Sequence, residues 1–160
     1  MKGLESIPTP NDLLKAYNTL QFKQKMLLPS KLAFWSQWSR FDPRLAEIIV
    51  FYISKNWKDI SALTLNREIK KQPWPGVLGV LLEQVILFAG FSLNEKVLFR
   101  NWARFVMTGV SKASFELFFI GLRSLGGRLS LQDAVLSHKT YKKWGYFGRE
   151  LLINKVPEKA

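Results

Sequence analysis

Apolar residues recur at the spacing of an α-helix through most of this 160-residue chain, and helix start signals separate one run from the next. The clearest run follows Asp42 and Pro43, which are typical of an N-cap and a first helical position. This helix should extend to about Asp59, with an inward face made of Leu45, Ile48, Ile49, Tyr52, Ile53 and Trp57. The pattern predicts an all-α fold: a single compact domain, 1–160, of about six to eight helices.

Similar signals predict the other helices. Thr9, Pro10 and Asp12 should open a helix that ends before Pro29. Further helices are predicted over 30–41, 64–72, 92–108 and 111–125, and a last helical stretch after Ser130 should be interrupted near Gly145 and Gly148. We expect flexible termini at about 1–9 and 154–160.

The segment 77–88 is apolar almost all round, so we expect it to be the buried central helix. Gly79 would permit a close neighbour, and Glu83 and Gln84 are the only polar side chains. These two residues also argue against a bilayer span over 74–91, and we expect no transmembrane segment.

The chain carries 24 Lys and Arg against 12 Asp and Glu, a net charge of +12, with no cysteine and only one histidine. This composition excludes a disulfide framework, a thiol nucleophile and a cysteine zinc site. A 48% hydrophobic content means that the charge decorates a folded body. We therefore expect a protein that holds an anionic partner rather than one that transforms a substrate, with no cofactor and with a cytoplasmic location as the default.

Few residues suggest catalysis. His138 has no partner pattern for a triad or a metal site, so it is interpreted as a turn or surface histidine. Asp12, Asp42, Glu95 and Asp133 stand where helix N-termini favour negative charge. Glu83 leaves two alternatives open: a salt bridge at the edge of the core, or the acid of a ligand pocket.

The basic residues are better organised and form three clusters at helical spacing. The clusters are Lys96, Arg100 and Arg104; Arg67, Lys70 and Lys71; and Lys139, Lys142 and Lys143. Any one of them is explained by a solvated helix face. If two of the three share a face, however, a polyanion becomes the natural partner, because Lys and Arg neutralise phosphates.

Two further patterns have competing interpretations. The segment 130–153, with Lys139 opening its second helix, could be a helix-turn-helix motif or a hairpin that packs Tyr141, Trp144, Tyr146 and Phe147 on the core. Arg40 and Arg44 beside Trp35, Trp38 and Phe41 could stack on unpaired bases, or these aromatic residues could belong to the core.

The leading hypothesis is a non-catalytic protein that binds the phosphate backbone of nucleic acid through basic helix faces. Its predicted contacts are Arg67, Lys70, Lys71, Lys96, Arg100, Arg104, Lys139, Lys142 and Lys143. The main alternative is an interaction or assembly subunit that docks an acidic protein partner. An anionic membrane surface and an enzyme that uses Glu83 are further alternatives.

Overall fold

Helices dominate the structure, a computed structural model that describes residues 7–22, 27–120 and 139–148. The helices are α1 (Pro10–Phe22), α2 (Pro29–Trp38), α3 (Pro43–Asn56), α4 (Ala62–Lys70), α5 (Gly76–Phe88), α6 (Leu93–Val106) and α7 (Lys139–Lys142). A 3₁₀ turn, Trp57–Asp59, follows α3, and two short strands, β1 (Glu116–Leu117) and β2 (Tyr146–Phe147), complete the fold. The predicted all-α class is confirmed, with this strand pair as a small addition.

The predicted start signals at α1 and α3 act as caps. At α1, the Thr9 hydroxyl accepts from the Asp12 amide at 3.2 Å, and the Asp12 carboxylate accepts from the Thr9 amide at 2.9 Å. The hydrogen bonds that the Asp12 carboxylate accepts from Thr9 lower the pKa of Asp12. At α3, the Asp42 side chain accepts from the Arg44 amide at 2.9 Å. Local sequence therefore determines where both helices begin.

The helix α4 begins earlier than the sequence pattern predicts. Ser61, not a residue at 64, is its N-cap, and the Ser61 hydroxyl accepts from the Thr64 amide at 3.3 Å. The helix also ends at Lys70, before the turn that contains Pro73 and Pro75.

The core forms around α5, as predicted. This helix packs against α2, α3, α6 and α7, and its buried apolar residues are Val77, Leu78, Val80, Leu81, Leu82, Val85 and Phe88. On α3 and the following 3₁₀ turn, all six residues predicted to face inward are buried. Within the described ranges, none of the helices combines the length and the apolar content needed to cross a bilayer.

The predicted helix over 111–125 is wrong where it can be judged. Residues 111–120 contain no helix: they form bends and the strand β1, which pairs in parallel with β2, with Glu116 opposite Tyr146 and Leu117 opposite Phe147. The physical reason is that the side chain of Arg40 takes the backbone carbonyls of Leu117 and Phe118, which a helix would use internally. Residues 121–125 lie outside the described ranges.

The chain after Lys139 does not form a recognition helix. The helix α7 is a single turn, and Gly145, at a φ of +80°, leads the chain into β2. Tyr141, Trp144 and Tyr146 are buried, in agreement with the alternative that these aromatics pack on the core. The predicted first helix of the motif, with Asp133 and His138, lies outside the described residues, as do most of the predicted flexible termini.

Candidate anion-binding cleft

The helix α6 forms one wall of a cleft on the protein surface. Its N-cap is Ser92, whose hydroxyl accepts from the Glu95 amide at 3.2 Å, as the sequence predicts. Phe99, Ala103 and Val106 point into the core. The basic residues Arg100 and Arg104 lie on the side of the helix that faces away from the core. Arg100 and Arg104 are therefore exposed, one helical turn apart.

The short helix α7 forms the opposite wall, and its position depends on two contacts with α5. The Gln84 amide donates to the Thr140 hydroxyl at 2.6 Å within the core. Trp144 lies so close to Gly79 that a Cβ at position 79 would overlap the indole ring. With this turn held against α5, Lys139 and Lys143 remain exposed.

Between these walls lies a cleft of about 500 Å³, which we call the basic cleft. Its rim carries four basic side chains, those of Arg100, Arg104, Lys139 and Lys143. Its apolar lining comes from Leu82, Ile86, Leu87, Ala103 and Met107. Glu83 supplies the only carboxylate among the described residues that line it. The cleft thus concentrates positive charge over an apolar floor.

Glu83 forms an ion pair within the lining of the basic cleft. Its carboxylate pairs with the Lys143 ammonium at 3.1 Å, and the two side chains are 25% and 55% exposed. This confirms the salt-bridge alternative, and the partner comes from the residue that follows α7. At this exposure the pair adds little stability, and its main effect is to neutralise part of the cleft's charge.

The two arginines of the cleft differ from Lys143 in this respect. Among the residues that the structure describes, no carboxylate lies within ion-pair distance of Arg100 or Arg104. Guanidinium groups left free at the rim of a concave surface can bind an external carboxylate or phosphate through paired N–H donors.

The structure brings together part of two predicted clusters and leaves the third apart. Arg100 and Arg104 of one cluster and Lys139 and Lys143 of another line the basic cleft. The other predicted contacts do not line the cleft. Lys96 is half-buried, and Arg67, Lys70 and Lys142 are exposed elsewhere. The Lys71 ammonium pairs with the Glu68 carboxylate at 2.9 Å.

Arg40 is only 3% exposed, and its role in the fold is not among those predicted from the sequence. Its Nε donates to the Phe118 carbonyl at 2.9 Å, and its guanidinium pairs with the Glu116 carboxylate at 3.0 Å. The same group lies over the rings of Trp74 and Tyr146, 4.6 and 5.1 Å from their centroids. We call this set of contacts the Arg40 clamp.

Burial changes the titration of both partners in the Arg40 clamp. It lowers the pKa of Arg40 and raises the pKa of Tyr146 to about 12. Because Arg40 and Trp35 are buried, the base-stacking interpretation is wrong for these two residues, and the core interpretation is confirmed for Trp35. In the sequence, the only sign of this buried role of Arg40 is its position in the aromatic segment 34–41.

Comparison with known proteins gives no relative: no protein-family model, curated protein or solved structure matches the chain.

Proposed function

We propose that the protein binds nucleic acid, without catalysing a reaction, by holding backbone phosphates in the basic cleft. The observation that carries the proposal is the convergence of Arg100 and Arg104 with Lys139 and Lys143, residues about forty positions apart in sequence, on one cleft. Among the described residues that line the cleft, the one carboxylate is that of Glu83, which pairs with Lys143.

The geometry of α6 suits a repeating anion. Residues four positions apart are separated by about 6 Å along a helix axis, so Arg100 and Arg104 can each meet one of two successive phosphates of a strand. Lys139 and Lys143, at the start and just past the end of α7, would neutralise the same strand from the opposite wall. Binding of this kind releases counterions and weakens as salt rises.

A second candidate is an acidic, amphipathic segment of a partner protein. On α6, Leu93 is 79% exposed and Val97 is 51% exposed. Both lie on the side of the helix that carries Arg100 and Arg104, at positions i, i+4, i+7 and i+11. An apolar stripe that continues into a basic one favours a partner with the complementary pattern.

The proposal is tested by fluorescence anisotropy with a labelled oligonucleotide over a salt series, with poly-glutamate as a competitor of matched charge. If about four cations neutralise phosphates, log Kd should change with log salt concentration with a slope of about 3, and binding should persist at physiological salt. Poly-glutamate should compete poorly. Equal competition would favour the acidic protein partner, and binding confined to low salt would contradict the nucleic-acid proposal.

A further inference from the structure

The basic cleft differs from a simple charged surface because its floor is apolar. Ile86 is half-buried and Leu87 is 41% exposed, and both line the cleft together with the four basic residues. Polyanion binding through phosphates alone requires no exposed leucine. The floor therefore calls for a ligand with an apolar surface next to its negative charge.

An unpaired nucleotide has this combination, and a duplex does not present it. In a duplex the faces of the bases are stacked inside, so only phosphates, sugars and base edges reach a protein surface. In a single strand a base can turn out and place its face on apolar side chains while its phosphates stay at a basic rim. The cleft volume of about 500 Å³ lies within the range of about 300–1,000 Å³ found for small-molecule sites.

We infer that the basic cleft accommodates an unpaired base on the floor formed by Ile86 and Leu87, so that the protein prefers single-stranded to duplex nucleic acid. This inference rests on the proposed function and deepens it. Arg100, Arg104, Lys139 and Lys143 hold the flanking phosphates, and the apolar floor discriminates between the two forms.

The test compares binding of a labelled oligothymidylate and of a duplex of the same length, at physiological salt, to the wild type and to Leu87→Ser. Leu14→Ser is the matched control, because Leu14 is 54% exposed on α1 and does not line the cleft. Circular dichroism establishes that both variants are folded.

The inference requires two results together. The wild type should bind the single strand at least about fivefold more tightly than the duplex, and Leu87→Ser should weaken single-strand binding roughly threefold or more while duplex binding and Leu14→Ser stay unchanged. Failure of either result overturns the inference; if duplex binding nevertheless survives physiological salt, the proposed function stands.

Loss of all oligonucleotide binding at physiological salt overturns both the inference and the proposed function. Vesicles that contain phosphatidylserine are the second probe. If they bind more tightly than the oligothymidylate and lose this binding in Leu87→Ser, the floor serves a lipid and the inference is overturned.

Discussion

The Arg40 clamp and the basic cleft use the same side-chain chemistry in opposite ways. Arg40 is 3% exposed, and two aromatic rings, one carboxylate and two backbone carbonyls surround its guanidinium. Arg100 and Arg104 are exposed, and no carboxylate among the described residues pairs with them. One arginine is part of the fold, and the other two are available to a ligand.

The difference shows why a net charge of +12 is a weak guide to a binding site. A buried cation and an exposed cation contribute equally to the net charge. What separates them is whether the fold itself supplies acceptors, since a desolvated guanidinium must be paired and an exposed one need not be. A binding surface is therefore best sought where several cations converge and the fold supplies few acceptors.

The largest expected effect is loss of stability on breaking the Arg40 clamp. Arg40→Ala should lower the free energy of unfolding by about 3 kcal/mol, because it strands the carbonyls of Leu117 and Phe118 and leaves a gap between Trp74 and Tyr146. Urea unfolding followed by tryptophan fluorescence measures it. Arg44→Ala, at an exposed position, is the control and should change stability by less than about 0.5 kcal/mol. Similar losses of stability in Arg40→Ala and Arg44→Ala would show that the buried arginine does not stabilise the fold more than the exposed one.

The second prediction concerns the contact that positions one wall of the basic cleft. Gly79→Ala should destabilise the protein by about 1–2 kcal/mol, because the new Cβ overlaps the Trp144 indole. It should also weaken anion binding by displacing Lys139 and Lys143. When Trp144→Leu is combined with Gly79→Ala, the loss in the free energy of unfolding should be smaller than the sum of the losses in the two single variants. If the two losses simply add, overlap between the new Cβ and the Trp144 indole is not the cause of the destabilisation.

The third prediction uses the titration of Tyr146 in the Arg40 clamp. Its pKa is about 12 in the folded protein, against an ordinary value of about 10. The folded state therefore keeps the proton longer, and this contribution to stability is present below pH 10 or so and lost as the pH rises toward about 12. Between about pH 9 and pH 11, the wild type should lose about 1 kcal/mol more than Tyr146→Phe. Urea midpoints at both pH values measure this difference, and parallel losses would refute it.

The smallest effect should come from the carboxylate of the basic cleft. Glu83→Gln releases Lys143 and removes a negative charge from the lining, so oligonucleotide affinity should rise roughly twofold to threefold. Glu68→Gln is the matched variant: it frees Lys71 from a similar ion pair away from the cleft. Anisotropy titrations compare them. An equal gain would mean that total charge, rather than the cleft, sets the affinity.

Much of the helical framework follows from local sequence. The Asp42 and Ser92 caps and the inward face of α3 depend on residues within a few positions of each other, and these predictions are confirmed. The segment 111–120 could not be predicted in this way. Its non-helical form depends on Arg40, which lies more than seventy residues earlier and donates hydrogen bonds to the Leu117 and Phe118 carbonyls.

The candidate site shows the same limit. The spacing of Arg100 and Arg104, and of Lys139 and Lys143, is enough to place each pair on one side of a helix. Their convergence depends on the packing of Trp144 against Gly79 and on the hydrogen bond from Gln84 to Thr140, which local patterns do not encode.

The most direct test of the proposed cleft reverses charge inside and outside it. Arg100→Glu with Arg104→Glu is compared with Arg67→Glu with Lys70→Glu, a pair on the exposed side of α4 that makes the same change in net charge. Oligonucleotide binding is measured by anisotropy at physiological salt. We expect the cleft variant to lose at least about tenfold in affinity and the α4 variant less than about threefold. Equal losses in two folded variants would contradict the assignment of binding to the basic cleft.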